Sequence, residues 1–269
     1  MPRRPTSITS GIDIGARSVK IAILSHRGAK SSVLAKAVVP VLGSHDAGAA
    51  RAAMRDGWAR ALAEANLSAW GVDYVASTGA PDRHVARVGH FYGHLSHALG
   101  GRLLFPDATV AIDIGFNQIR CDLLGDTPSE GLGVAGREFG YGEGLLDALV
   151  GRAGLPLDDP HAPPLATALS ESMAARAAAL LRALAVEGKV VLTGGMALAD
   201  GFARSLRSRL LESGSNVSLL ISPDALFAGA YGAAILAARR FDRLSCAVGP
   251  AVTDPFLATT RHPDYRSLN

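Results

Sequence analysis

The strongest constraint on the fold is a hairpin pattern that occurs twice, one hundred residues apart. The segment "GIDIGARSVKIAIL" at residues 11–24 reappears in altered form as "AIDIGFNQIRCDLL" at residues 111–124. In both copies apolar residues flank an Asp-Ile-Gly turn, which is typical of two strands joined by a tight connection. The pattern therefore predicts a β-hairpin at the start of each of two related lobes. The matched positions include Asp13 and Asp113, Gly15 and Gly115, and Lys20 and Arg120.

The turns of the two hairpins carry residue types suited to phosphate and Mg²⁺. Gly15 and Gly115 have no side chain, so the backbone N–H groups of each turn are open to phosphate oxygens. Two carboxylates that face each other across a cleft hold a hydrated Mg²⁺ and position a water molecule. We therefore predict that Asp13 and Asp113 are catalytic residues and bind Mg²⁺ through water. Lys20 begins the second strand, and it suits a phosphate contact and a solvated strand position equally.

A third glycine turn follows later in the chain. The segment "VVLTGGMA" predicts a strand that delivers Thr193, Gly194 and Gly195 to the start of a helix. Two successive glycines leave bare backbone against which a nucleotide ring can lie. The ordered set of two Asp-Ile-Gly turns and one Leu-Thr-Gly-Gly turn is more specific than any single turn. The set predicts nucleotide binding.

The remaining pattern predicts an α/β protein in which strands alternate with helices. A hydrophobic content of 48% is sufficient for a large core. We predict a first lobe over residues 1–107 and a second over residues 108–242, with a closing helix at about 226–241 that packs back on the first lobe. Residues 243–269 contain three prolines and no periodicity. This composition predicts that residues 243–269 form an extended or disordered tail.

A histidine-rich segment precedes the second hairpin. Residues 83–99 show helical spacing and carry His84, His90, His94 and His97. His90 and His94 have the separation of a metal-ligand pair on a helix, but no carboxylate or cysteine joins them locally. The pattern favours a polar face or a subunit contact over a metal site.

Composition excludes several classes of protein. The formal net charge is only +3, and no basic block is interleaved with aromatic residues, so nucleic-acid binding is not expected. The longest apolar runs are too short and too alanine-rich for a membrane span. Two cysteines do not make a disulfide framework. The opening "MPRRPTSITS" has no apolar segment typical of a secretory signal, so we expect a cytoplasmic protein.

The order of these motifs resembles the superfamily of sugar kinases, actin and heat-shock chaperone ATPases. Within it, the chain resembles the BadF/BadG/BcrA/BcrD ATPase family, which includes dehydratase activators and benzoyl-CoA reductase subunits. "GIDIGARSVK" is similar to the first phosphate motif of that family, "VVLTGGMALADG" to its adenosine motif and "SPDALFAGAYGAAILA" to its closing helix. "GHFYGHLSHALGGRLLFPDATVAIDIG" resembles D-type subunits of benzoyl-CoA reductase. The resemblance implies an actin-like ATPase fold with two ribonuclease H-like lobes around a nucleotide cleft.

The resemblance also implies a site for ATP or ADP with Mg²⁺. The residues that it assigns to nucleotide binding lie in the two phosphate motifs, the adenosine motif and the closing helix, where Gly229 falls on the adenine side. They are Gly11, Gly15, Ala16, Ser18, Lys20, Gly115, Phe116, Asn117, Thr193, Gly194, Gly195 and Gly229. The second phosphate motif departs from the family because Phe116 narrows the turn and Gln118 stands where a second acid is common. This departure predicts slow hydrolysis.

The family normally carries a [4Fe–4S] cluster that bridges two subunits, and here the chain departs from the pattern. The expected cysteine position falls at about Arg137, just before the Gly140-Tyr141-Gly142 turn. The segment "HAPPLATALSESMAAR", where the second cysteine belongs, contains none. Of the two cysteines present, Cys121 is predicted to be a small buried core residue and Cys246 lies in the tail. Because a cluster needs thiolate ligands, we expect no cluster of the family type in this chain.

Three functions stay open at this point. The first is an ATP-binding subunit that couples ATP binding or hydrolysis to electron transfer by partner subunits, in a benzoyl-CoA reductase-like or dehydratase-activator-like complex. The second is a degenerate, non-hydrolysing homologue with a structural or regulatory role. The third is a small-molecule kinase, although no general base for a substrate hydroxyl is evident. The resemblance implies a homodimer or a heterodimer with a related ATPase subunit, with catalytic iron–sulfur subunits as possible further partners.

Overall fold

The computed structural model describes residues 6–41, 47–80, 89–115, 118–124, 136–140 and 162–245. The chain divides into two compact units. The first unit combines Met1–Leu103 with Gly229–Asn269, and the second is the continuous segment Leu104–Ala228. Each unit contains one five-stranded mixed sheet. The α/β class predicted from the sequence is confirmed.

The first unit is built on a sheet with the strand order β3-β2-β1-β4-β5. β1 pairs antiparallel with β2 and parallel with β4. The strands are β1 (Ser7–Ile14), β2 (Ser18–Arg27), β3 (Lys30–Pro40), β4 (Tyr74–Gly79) and β5 (Gly89–His90). The helices are α1 (Ala47–Glu64), α2 (Gly93–Leu104, whose last residue falls in the second unit) and α5 (Ala228–Ser245, whose first residue does so). Met54 and Trp58 of α1 pack against the apolar residues of β1, β2 and β3.

The second unit has the strand order β10-β9-β6-β7-β8. β6 pairs antiparallel with β7 and parallel with β9. The strands are β6 (Val110–Ile114), β7 (Gln118–Leu123), β8 (Gly136–Gly140), β9 (Gly188–Thr193) and β10 (Val217–Ile221), and the helices are α3 (Ala162–Ala183) and α4 (Asp200–Glu212). Met173 and Leu180 of α3 and Phe202 of α4 are fully buried in its core.

The duplication extends beyond the two hairpins that the sequence shows. In each sheet the strand carrying the Asp-Ile-Gly motif is central. An antiparallel pair of strands lies on one side of it and two parallel strands lie on the other. The register is also repeated, because Asp13 is opposite Lys20 and Asp113 is opposite Arg120. The units are therefore two copies of one sheet topology.

The prediction of one helix over residues 83–99 is wrong in part. Residues 89–90 form the short strand β5, which pairs parallel with β4, and the helix begins only at Gly93. The Ser77 hydroxyl and His90 Nδ1 are 3.0 Å apart, which fixes His90 beside the sheet. His90 and His94 thus lie on different elements, so the helical separation of a ligand pair is not realised.

Several predictions concern residues outside the described ranges. They include the glycine-led helix that "GYGEGLLDALVGRAG" suggests, the Phe116–Asn117 turn, Cys246 and the tail beyond residue 245. The described part of the tail, residues 243–245, continues α5. None of the helices within the described ranges combines the length and apolar character required to cross a membrane.

A buried histidine links the two ends of the first unit. Thr9 Oγ1 donates to the Ala234 carbonyl on α5 (2.7 Å) and therefore accepts from His26 Nε2 (2.8 Å). His26 Nδ1 lies 2.9 Å from the Ser31 hydroxyl, which donates to it when the imidazole is neutral. Burial lowers the pKa of His26, and the Asp242 carboxylate opposes that change to a lesser degree.

The lowered pKa makes stability depend on pH. Between the folded pKa and the ordinary value of about 6.5, the unfolded chain binds more protons than the folded one, so the free energy of unfolding rises with pH. We expect wild type to be less stable toward urea at pH 5 than at pH 7.5, and His26→Gln to show a smaller difference. Urea midpoints at the two pH values measure this. Equal pH dependence in wild type and His26→Gln would contradict the assignment.

Candidate functional site

The carboxyl end of β1 carries a buried ion pair. Asp13 is 5% exposed and Lys20 is 8% exposed. Lys20 Nζ lies 3.5 Å from Asp13 Oδ2, because the antiparallel register of β1 and β2 places the two residues opposite each other. Burial of a lone charge is strongly unfavourable, so each group neutralises the other. The structure therefore brings Asp13 and Lys20 together, and Lys20 is not a solvated strand residue.

The Asp-Ile-Gly turn of the first unit lies directly under the Lys20 ammonium. A Cβ atom on Gly15 would be 2.7 Å from Lys20 Nζ, so the ammonium rests against the bare face of this glycine. The Gly15 N–H donates to the Ser18 carbonyl at 3.1 Å and closes the turn. Ala16 and Ser18 are half-buried in the same turn. The Gly15 N–H is therefore used within the turn and is not open to a phosphate oxygen as the sequence predicted, whereas the Lys20 ammonium at this turn supplies a positive charge for an anion.

A glycine that the sequence analysis missed completes the arrangement. Gly79 ends β4, which runs parallel to β1, and has a φ of +87°. A Cβ atom there would lie 2.3 Å from the Ile14 carbonyl oxygen and 3.0 Å from Asp13 Oδ1. The signal was present, since "STG" at the end of β4 parallels "LTGG" at the end of β9. Gly79 lets the backbone approach the Asp13 carboxylate closely.

The second unit repeats this construction. Asp113 is 3% exposed at the end of β6, and Arg120 Nη1 lies 3.9 Å from Asp113 Oδ2. Gly194 has a φ of +89°, and a Cβ atom on it would be 2.5 Å from Asp113 Oδ1 and 2.5 Å from the Ile114 carbonyl oxygen. Each unit thus holds a buried carboxylate between a cation on the hairpin and a positive-φ glycine on the parallel strand.

The structure places the other predicted site residues as follows. Thr193 is buried, with its hydroxyl 3.4 Å from the Ile112 carbonyl, whereas Gly195 is exposed. Gly115 is half-buried. Gly11 lies inside β1, where a Cβ atom would be 1.9 Å from the Ala230 carbonyl oxygen, so close packing of α5 requires glycine there. Gly229 touches the Asp13 carboxylate.

Cys121 lies in the core of the second unit, as predicted. It is completely buried on β7 among apolar side chains. Burial raises the pKa of its thiol to about 12, and the Asp122 carboxylate adds to the increase. The thiol therefore stays protonated at neutral pH, whereas a metal ligand must be a thiolate. Within the described ranges, histidine, cysteine, aspartate and glutamate side chains form no group of three or more that could hold a metal ion.

Solved structures show the same fold. The activator of the 2-hydroxyisocaproyl-CoA dehydratase from Clostridium difficile, with bound ADPNP, is similar with a TM-score of 0.69 and 17% identity, over 90% of this chain and 98% of that one. Component A of the Acidaminococcus fermentans (R)-2-hydroxyglutaryl-CoA dehydratase has a TM-score of 0.66 and 20% identity, over 88% and 99% of the two chains. The protein has the actin-like ATPase fold, as the sequence predicted.

Sequence comparison is more specific. The model of the BadF/BadG/BcrA/BcrD ATPase family matches residues 157–237. The D-type subunit of benzoyl-CoA reductase from Thauera aromatica is 31% identical over 281 aligned residues, which cover 89% of this chain and 96% of that protein. This chain belongs to the BadF/BadG/BcrA/BcrD ATPase family.

The repeated construction predicts equivalent effects of substitution at the two positive-φ glycines. Gly79→Ala and Gly194→Ala each combine an unfavourable φ with a clash against backbone, and we expect each to lower the free energy of unfolding by about 3 kcal/mol. Gly214→Ala is the matched control, because its φ is +63° but nothing lies within 4 Å of the added Cβ atom. We expect Gly214→Ala to lower the free energy of unfolding by only about 1 kcal/mol. Urea denaturation measures the free energy of unfolding of all three variants. Equal decreases in the three variants would contradict the clash at Gly79 and Gly194.

Proposed function

We propose that this chain is the nucleotide-binding subunit of a benzoyl-CoA reductase-like or acyl-CoA dehydratase-activator-like complex. In this role it couples ATP binding or hydrolysis to electron transfer by partner subunits. One observation carries the proposal: in a member of this ATPase family, both Asp-Ile-Gly motifs place a buried carboxylate beside a cation and a bare glycine turn. The ADPNP bound to the Clostridium difficile activator is consistent with a nucleotide ligand.

The residues present fit Mg²⁺ and a nucleotide. Hard oxygen ligands suit Mg²⁺, which retains most of its water, so Asp13 and Asp113 would hold the ion through its water molecules. The Lys20 ammonium at the Gly15 turn would contact a phosphate oxygen. The exposed Gly195 would leave room for the nucleoside, and Gly194 would hold the turn against Asp113. The bound ion would neutralise phosphate charge, and the chain's own contribution is to fix the carboxylates and the ammonium in place.

The residues present do not fit an iron–sulfur cluster of the family type. Cys121 is enclosed in the core with a protonated thiol, and arginine occupies the position at which the family cysteine is expected. We therefore propose that any cluster involved in electron transfer belongs to partner subunits. The assembly would be a homodimer or a heterodimer with a related ATPase subunit, as the family relationship suggests.

A non-hydrolysing role is the second candidate. The turn after Asp113 carries Phe116 and Gln118 in place of small residues and a second acid. Arg120 Nη1 also stands 3.9 Å from the Asp113 carboxylate. These features favour a subunit that binds nucleotide without hydrolysing it and acts as a structural or regulatory partner.

Calorimetric titration with ADP tests nucleotide binding. We expect wild type to bind more tightly with Mg²⁺ than with EDTA. Asp13→Asn should lose roughly tenfold or more of the Mg²⁺-dependent affinity because a carboxylate that orders the hydrated ion is gone. Asp56→Asn is the control, since Asp56 is exposed and paired with Arg60 on the surface of α1. No heat with wild type, or equal affinities for wild type and Asp13→Asn, would overturn the assignment.

Iron and sulfide analysis tests the second part of the proposal. After anaerobic reconstitution, we expect the purified chain to hold well below the roughly four irons per dimer that one shared cluster supplies. Electron paramagnetic resonance after reduction should show no cluster signal. About four irons per dimer, lost on Cys121→Ser, would show that the core opens to expose this thiol. That result would show that this chain itself carries the cluster used in electron transfer.

A further inference from the structure

A buried histidine faces the Asp13 carboxylate across a glycine of α5. His97 lies on α2, is 6% exposed and therefore does not belong to the polar face that the sequence favoured. A Cβ atom on Gly229 would lie 2.7 Å from His97 Nε2 and 2.9 Å from Asp13 Oδ2. The imidazole nitrogen and the carboxylate oxygen are therefore no farther apart than the sum of these two distances.

Backbone packing fixes this geometry. A Cβ atom on Gly232 would be 1.7 Å from the Ser96 carbonyl oxygen, so α5 and α2 touch through their backbones one residue before His97. On its other side α5 touches β1, since a Cβ atom on Gly11 would be 1.9 Å from the Ala230 carbonyl oxygen. α5 is thus held between the strand that carries Asp13 and the helix that carries His97. The backbone positions that carry Asp13 and His97 are therefore fixed relative to α5 by close packing.

The surroundings of Asp13 show what His97 adds. Oδ1 faces Gly79, whereas Oδ2 faces Lys20 and Gly229. Lys20 Nζ lies 3.5 Å from Oδ2 on a flexible side chain. The rigid imidazole of His97 lies near the same Cβ position of Gly229 as Oδ2 does. A ring held by helix packing restricts the orientation of a carboxylate more than a four-carbon amine does.

We propose that His97 is a positioning residue for Asp13. Its Nε2–H hydrogen-bonds the Oδ2 side of the carboxylate when the magnesium nucleotide is bound, and so aims the carboxylate at the hydrated ion. The inference rests on the proposed function, because it assigns Asp13 that role. Groups that orient the residues holding a metal ion contribute strongly to its affinity.

The test uses two amides of different reach. Glutamine places its amide nitrogen near the position of Nε2, whereas asparagine is one methylene shorter and reaches only the Nδ1 position. We expect His97→Asn and His97→Ala to lose about tenfold in ADP affinity with Mg²⁺ and to match wild type in EDTA. His97→Gln should stay within about twofold of wild type in both conditions. His94→Ala, on the same helix, is the matched control and should bind as wild type does.

Comparison of the two amides keeps the test sharp even if His97→Ala does not fold, because both retain a polar side chain of similar size. Equal binding by all His97 variants and wild type would overturn the inference and leave the proposed function intact. If His97→Gln loses as much ADP affinity as His97→Asn, the inference is overturned, because His97 then acts only through its packing in the protein. Absence of magnesium-dependent binding in wild type would instead overturn the proposed function and, with it, the role of His97.

Discussion

The structure depends on a buried carboxylate at the end of the central strand of each sheet. A single carboxylate in such a place is unstable by several kcal/mol unless a cation accompanies it. The antiparallel register supplies that cation from the next strand, Lys20 for Asp13 and Arg120 for Asp113. The hairpin is therefore more than a turn that happens to be repeated. It buries an acid and its counter-charge together on adjacent strands.

The neighbours of the carboxylate follow from that burial. Backbone must approach it closely from the parallel strand, which is why Gly79 and Gly194 stand at equivalent positions with nearly equal φ. Helix α5 approaches Asp13 from another side and requires Gly229 there. These glycines lie far apart in the sequence. Each is required because the backbone at its position packs closely against Asp13 or against Asp113. In each unit, the glycines around the buried acid are therefore as important to its surroundings as the acid itself.

Much of the fold could be predicted from the sequence because its strongest signals are local. A hairpin with a glycine turn, or a strand that ends in two glycines, shows itself within about ten residues. The role of Gly79 could not be read in this way, since it arises from parallel pairing with a strand 65 residues earlier in the chain. The repetition of the whole sheet was hidden for a related reason. The connections between the paired parallel strands differ in length in the two units, so no fixed offset survives beyond the hairpins.

The histidine-containing segment also shows that spacing in the sequence does not reveal tertiary contacts. Spacing alone placed His90, His94 and His97 on one helix, but Gly89 and His90 pair with β4, and the helix starts after them. A helix period says which residues share a face, and it does not say what lies opposite. The position of His97 near Gly229 and Asp13 arises from the packing of α2 against α5, which spacing in the sequence does not show.

The first unit is discontinuous in the chain, and this imposes an order on its synthesis. β1 is translated early, but its Thr9 hydroxyl donates to the carbonyl of Ala234 and its Gly11 rests on Ala230. The ribosome must therefore complete the whole of the second unit before α5 is available to cover β1. By then the strands β6 to β10 of the second unit, which is continuous from Leu104 to Ala228, have all been translated. All five strands of the first sheet are translated by His90, so the growing chain carries this sheet without its α5 cover while the second unit is synthesised, and α5 then completes the first unit.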